Sequence, residues 1–186
     1  VIFGVGCSAT DVVGHTYGPD SQETMDQLLR LDLVLQKLFQ EIDKRAGLNN
    51  TLVILTADHG SQPLVENLQA KGIDAQRANP NVLANAVREA LSRRFPGVDN
   101  LAIFSSPDFY LNEDAMRGHD LNRKEVEQTA AAALLRTGLV EKVYTHDDLA
   151  STAPSSDPFL PLFRNAFFPP RTPHLSVLLK RYVYLS

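Results

Sequence analysis

The sequence predicts an α/β fold: a sheet covered by helices, with a smaller α+β subdomain. Three observations carry this expectation. Two short apolar runs, Val1 to Gly6 and Thr51 to Thr56, read as buried strands of a parallel sheet. A long stretch of helical periodicity lies between them, which makes a βαβ unit. Further along, short strand-like runs alternate with two amphipathic helices, the pattern of a separate α+β layer.

Each element has its own signal. In the first helix Met25, Leu28, Leu29, Leu35, Leu38, Phe39 and Ile42 recur on one face. Asp20 reads as its N-cap, with Glu23 completing a capping box. Gly47 stops it, and Asn49-Asn50 turns the chain into the second run. Residues 80–95 form the next helix, with Val82, Leu83, Ala86, Val87, Ala90 and Leu91 on one side and Pro96-Gly97 as its end. Leu101 to Phe104 and Phe109 to Leu111 read as strands of a hairpin around Ser106-Pro107-Asp108. Leu121 to Thr137 is a helix capped by Asn122 and stopped by Gly138. Val140 to Tyr144 is a strand, and Thr145 caps a short helix with Asp148 at its third position. Prolines crowd residues 150–173, so that stretch reads as an extended connector, and its phenylalanines require it to pack on something. His174 to Tyr184 is the closing strand. Three parts are expected: 1–75, the α/β part; 76–149, the α+β subdomain; and 150–186, a connector and a strand returning to the first part.

Composition narrows the function. The chain has 186 residues, Lys+Arg 18 against Asp+Glu 22, and a net charge of -4. Phosphate backbones need clustered cations, so no nucleic-acid surface is expected. No apolar run reaches bilayer length, so no membrane span is expected. A single cysteine, Cys7, excludes an internal disulfide and a cysteine-rich zinc module, and it reads as a buried core thiol. The chain opens and closes in strand-like sequence, which reads as a portion of a larger protein.

Two clusters carry the chemistry, one after each apolar run of the βαβ unit. Asp11 and His15 are four residues apart, which on one helical turn sets a carboxylate and an imidazole on one face. Asp58-His59-Gly60 follows Thr51 to Thr56, and Gly60 lets the chain leave the extended state there. Both clusters lie where open α/β sheets place ligands, at the carboxyl ends of strands. Two carboxylates with two imidazoles suit Zn²⁺. Alone, either motif reads as ordinary surface; together, after consecutive strands, they point to a metal site. Gly4 to Ala9 matches the G-x-G-x-x-A dinucleotide pattern, but with a helix starting only near Ser21 no pyrophosphate site is expected. Ser8 lacks the second glycine of a nucleophile elbow. His119, His146 and His174 read as structural.

The stretch Ser8-Ala9-Thr10-Asp11, Gly14-His15, Gly18-Pro19, then Arg30-Leu31-Asp32, then Leu55-Thr56-Ala57-Asp58-His59-Gly60 resembles the alkaline phosphatase superfamily. The branch it is most similar to is the type I phosphodiesterase/nucleotide pyrophosphatase group. That resemblance implies an alkaline-phosphatase-like sheet and two Zn²⁺ ions bridging a phosphate ester. One ion would take Asp11 and His15 with a histidine near the C-terminus; the other would take Asp58 and His59 with an N-terminal Asp and the nucleophile. It places the nucleophile upstream of Val1, so no catalytic nucleophile is assigned in this chain. His174 is not assigned as the third histidine. The expected function is phosphate mono- or diester hydrolysis by an intact enzyme of which this is a C-terminal portion. The substrate would be a phosphate ester or nucleotide-like small molecule. The alternatives are a nucleotide pyrophosphatase/phosphodiesterase, or a non-catalytic binding module that keeps the fold. The portion alone is expected to be inactive and to hold zinc weakly. The resemblance favours the periplasm or the cell exterior.

Overall fold

The computed structural model describes residues 1–186 as a mixed α/β protein of two compact units, Val1–Ile73 and Asp74–Ser186. The first unit holds α1 (Ser8–Tyr17), α2 (Gln22–Ala46), a 3-10 turn at Leu48–Asn50 and α3 (Val65–Ala70). The helix α2 is capped by Ser21, whose hydroxyl accepts the Thr24 N–H at 3.1 Å. The cap is therefore one residue later than Asp20. Gly18 sets the corner between α1 and α2. Its φ of 85° is a left-handed conformation open to glycine. Its carbonyl accepts from Ser21 Oγ at 2.9 Å and from Thr24 Oγ1 at 2.8 Å.

Three expectations for this unit are corrected. A helix begins at Ser8, inside the Gly4 to Ala9 stretch, well before Ser21. Its first turn carries Asp11, a carboxylate that would repel a pyrophosphate. Cys7 is exposed and is no core thiol. The runs Val1 to Gly6 and Thr51 to Thr56 form no strand ladder. The physical reason lies in what a strand is. A helix makes its hydrogen bonds within one segment, whereas a strand exists only through bonds to a neighbour. Leu55 is 94% exposed and Ile54 78%, so nothing within these 186 residues covers the apolar run.

The second unit is built from β1 (Gln76–Ala78), α4 (Asn81–Arg94), β2 (Ala102–Ser105), β3 (Asp108–Leu111), α5 (Glu113–Gly118), α6 (Arg123–Arg136), β4 (Val140–Thr145), α7 (His146–Ala150), α8 (Leu160–Asn165), β5 (Leu175–Leu179) and β6 (Val183–Leu185). An antiparallel sheet runs in the order β2-β3-β5-β4, and β1 pairs with β6 in parallel. Leu83, Val87 and Leu91 of α4 and Val126, Ala130 and Leu134 of α6 meet Phe109, Leu111, Leu175 and Val177 in one core. Strand side chains alternate, so Phe109 and Leu111 share one face with Leu175 and Val177. Asn122 caps α6, and Thr145 and Asp148 form a reciprocal capping box on α7.

The closing strand differs from expectation. The sequence has it returning to the first part of the chain, yet β5 sits between β3 and β4. The cause is its alternation: Leu175 and Val177 complete the core under α4 and α6, while Ser176 and Leu178 turn to the other face. There the connector packs Phe163 and Phe167 against Tyr144, Leu149 and Leu160. Asp157 anchors it, accepting from Lys142 Nζ at 2.7 Å and from the Tyr144 hydroxyl at 2.9 Å.

Candidate metal centre

The helical spacing of Asp11 and His15 works as the sequence suggests. Both lie on α1, and His15 Nε2 stands 3.3 Å from Asp11 Oδ1. The loop after Thr56 brings His59 to the same oxygen, with Nε2 at 3.4 Å. The two imidazole rings are tilted, 5.4 Å between centroids. One ligating atom each from Asp11, His15 and His59 falls within 4.8 Å of the others.

The loop is held by its own backbone. Asp58 Oδ1 accepts the N–H of the next residue, His59, at 3.1 Å. His59 Nδ1 lies 2.9 Å from the Gly60 carbonyl oxygen. A carbonyl only accepts, so Nδ1 carries the proton and Nε2 faces the cluster with its lone pair when the ring is neutral. The bond to the Gly60 carbonyl, then the nearby Asp58 and Asp11 carboxylates, push the His59 pKa above its ordinary value. Positive charge is favoured at Nε2, and a bound cation would satisfy that preference as well as a proton does.

Asp58 stands apart from the other three. Its carboxylate is 3.8 Å from His59 Nε2, but its side chain is 90% exposed and lies outside the group of converging donors. The structure thus joins Asp11, His15 and His59, where the sequence paired Asp11 with His15 and Asp58 with His59. His174 and His146 are engaged elsewhere. His174 Nδ1 accepts the Leu111 N–H at 3.0 Å, and His146 Nε2 lies 2.8 Å from the Thr172 carbonyl.

Sequence reasoning did not give Gly14 a positioning role. It is buried in the middle of α1, and a Cβ there would lie 3.2 Å from Ser61 Oγ. The missing side chain lets the loop that carries His59 lie against the helix that carries Asp11 and His15. A glycine inside a helix, between two candidate ligands, was the signal, because mid-helix glycine is unfavourable without a packing reason.

One carboxylate and two imidazoles are a donor set that zinc accepts, and half exposure leaves room for further ligands. The residues present therefore fit a divalent metal.

Comparison with known proteins places this site in context. Residues 3–185 match the type I phosphodiesterase / nucleotide pyrophosphatase family. Alkaline phosphatase PhoK of Sphingomonas is 31% identical over 188 residues, covering 96% of this chain and 33% of that protein. Alkaline phosphatase PafA of Elizabethkingia meningoseptica is 47% identical over 66 residues, 36% of this chain and 12% of its own. The crystal structure of wild-type PafA superposes with a TM-score of 0.79 at 27% identity, covering 95% of this chain and 33% of that one. The chain spans about a third of the length of these relatives.

Proposed function

The chain belongs to the type I phosphodiesterase / nucleotide pyrophosphatase family of the alkaline phosphatase superfamily, and from that premise we propose that it is part of a two-zinc phosphohydrolase cleaving phosphate mono- or diesters. The observation that supports this reading is the convergence of Asp11, His15 and His59 within 4.8 Å. Asp11 and His15 hold one cation position from a single helix face. His59 would present Nε2 beside that position, toward the second ion, and Asp58 shapes the loop through its bond to the His59 N–H and adds negative charge 3.8 Å from the ring. A zinc ion held there would supply Lewis acidity toward a phosphoryl oxygen and would lower the pKa of an oxygen nucleophile. Asp11, His15 and His59 would hold the metal, Asp11 would offset part of its charge, and the Gly60 carbonyl keeps the His59 Nε2 lone pair turned toward the cluster.

No residue of this chain is assigned as the nucleophile. The family description favours diesters and the relatives' names favour monoesters, so both belong in the assay. The 186 residues are read as one portion of an active unit of the relatives' length, inactive alone and placed in the periplasm or outside the cell. No helix is long and apolar enough to cross a membrane.

The test is hydrolysis of p-nitrophenyl phosphate and bis(p-nitrophenyl) phosphate by a protein of the relatives' length that carries this chain. Turnover that is lost on chelation, regained with zinc, and reduced on the order of a hundredfold or more by His15→Ala or His59→Ala supports the proposal. Turnover indifferent to chelator and to both substitutions overturns it, and absence of any hydrolysis supports the non-catalytic alternative.

A further inference from the structure

The second unit carries a cavity of about 510 Å³ that the metal centre does not use. That size is in the range of roughly 300–1,000 Å³ typical of small-molecule sites. It opens on the sheet face opposite α4 and α6, where Asp108 and Ser176 alternate with the core residues Phe109 and Leu175. Leu149, Phe163 and Phe168 give it an apolar wall.

Its polar lining includes Ser176, Asp108 and Arg171. Ser176 is 3% exposed and lines the cavity. Asp108 accepts the Val177 N–H through Oδ1 at 2.7 Å, which leaves Oδ2 to the cavity. Burial pushes its carboxyl pKa up, so a donor placed there is rewarded. Arg171 is fixed by its backbone: its carbonyl accepts from the Tyr110 hydroxyl at 2.9 Å and its N–H donates to the Phe168 carbonyl at 2.9 Å. Its guanidinium forms no ion pair, so the two opposite charges that line one cavity do not neutralise each other.

We propose that this cavity binds a small zwitterion with an apolar body, an α-amino acid carrying an aromatic or branched aliphatic side chain. The ammonium meets Asp108 and the Ser176 hydroxyl, the carboxylate meets Arg171, and the side chain lies against Leu149, Phe163 and Phe168. Charge selects this class. A phosphate would face the Asp108 carboxylate, and a simple amine would face the Arg171 guanidinium with nothing to offset either repulsion. The site is independent of the phosphohydrolase reading, and its failure would leave that reading untouched.

The experiment is a titration of the 186-residue chain with L-phenylalanine, followed by calorimetry and by ¹H–¹⁵N NMR. Parallel titrations use phenethylamine, 3-phenylpropionate and inorganic phosphate. L-Phenylalanine is expected to saturate at about millimolar concentration or below, with shifts centred on residues 108, 149, 171 and 176. Phenethylamine and 3-phenylpropionate, each lacking one charge, should bind at least about tenfold more weakly, and phosphate should not bind there. Arg171→Ala and Asp108→Asn should each weaken L-phenylalanine by about tenfold. Arg171 is exposed, so its variant keeps the fold even where the Asp108 variant does not. Absence of saturation, shifts that map elsewhere, equal binding of either truncated analogue, or indifference to Arg171→Ala would overturn the proposal.

Discussion

In the second unit Leu83, Leu134 and Leu175 are shut away from solvent, whereas in the first Leu29, Leu33, Leu52 and Leu55 face it. Both units carry apolar residues at the spacing of regular structure. Only the second brings helices and strands together so that each covers the other's apolar face. The helices α4 and α6 lie on a sheet whose strands are joined by a hairpin and by β5. In the first unit α2 presents a full apolar stripe that includes Met25, Leu28 and Leu29. The comparison separates two things that periodicity alone merges. Local hydrogen bonding is enough to make a helix, but burial and strand formation need a partner surface.

The largest test of that contrast is in the second unit's core. Leu134→Ala removes a fully buried side chain between α6 and the sheet. It should cost about 2–5 kcal/mol in urea unfolding, with the slope unchanged. A cost under about 1 kcal/mol would mean that the core is not packed as described.

Next in size is a change that acts through geometry alone. Gly14→Ala puts a Cβ 3.2 Å from Ser61 Oγ, so the Ser61 side chain beside the loop bearing His59 must give by a few tenths of an ångström. Zinc affinity should fall by roughly three- to tenfold, since ligand positions tolerate little displacement. Calorimetry checks this, and unchanged affinity would remove Gly14 from the site's construction.

The third prediction uses pH. Asp157 is held down to about 2, first by its hydrogen bond from Lys142 Nζ, with the Phe159 N–H and the Tyr144 hydroxyl also donating to it. A carboxylate depressed in this way stabilises the fold fully above its ordinary value of 3.8, and that contribution is lost as pH falls through about 2. Acid titration of the chain should therefore show a loss of stability from about pH 4 downward that Asp157→Asn reduces. An unchanged acid slope in that variant would contradict the anchor.

The smallest effect is expected where the first unit leaves its leucine in water. Leu29→Ala should change stability by no more than about 0.5 kcal/mol. A loss as large as that of Leu134→Ala would show that the α2 stripe is covered in solution, and it would break the contrast between the units.

These units also show how much the sequence carries. The cap of α6 at Asn122, the Thr145–Asp148 capping box and the hairpin at Ser106-Pro107-Asp108 are readable because each is a contact within a few residues. Asp11 with His15 is readable for the same reason. That His59 shares Asp11 Oδ1 while Asp58 stays in solvent is not readable, because it depends on how the Gly60 loop lies against α1 at Gly14. The place of β5 between β3 and β4 is also a long-range choice. The alternation of Leu175 and Val177 says only that one face is buried, not which strands lie beside it. Thr51 to Thr56 reads as a strand by composition, and composition says nothing about whether a neighbour is in place.

The central claim is that Asp11, His15 and His59 form one metal centre. The most direct measurement is zinc titration of the chain with the imidazole ¹⁵N signals resolved. Nε2 of His15 and His59 should shift together and saturate together, while His146 and His174 stay still, and Asp11→Asn should weaken both shifts. Zinc that moves His146 or His174 instead, or that moves His15 and His59 independently of each other and of Asp11, would contradict the account.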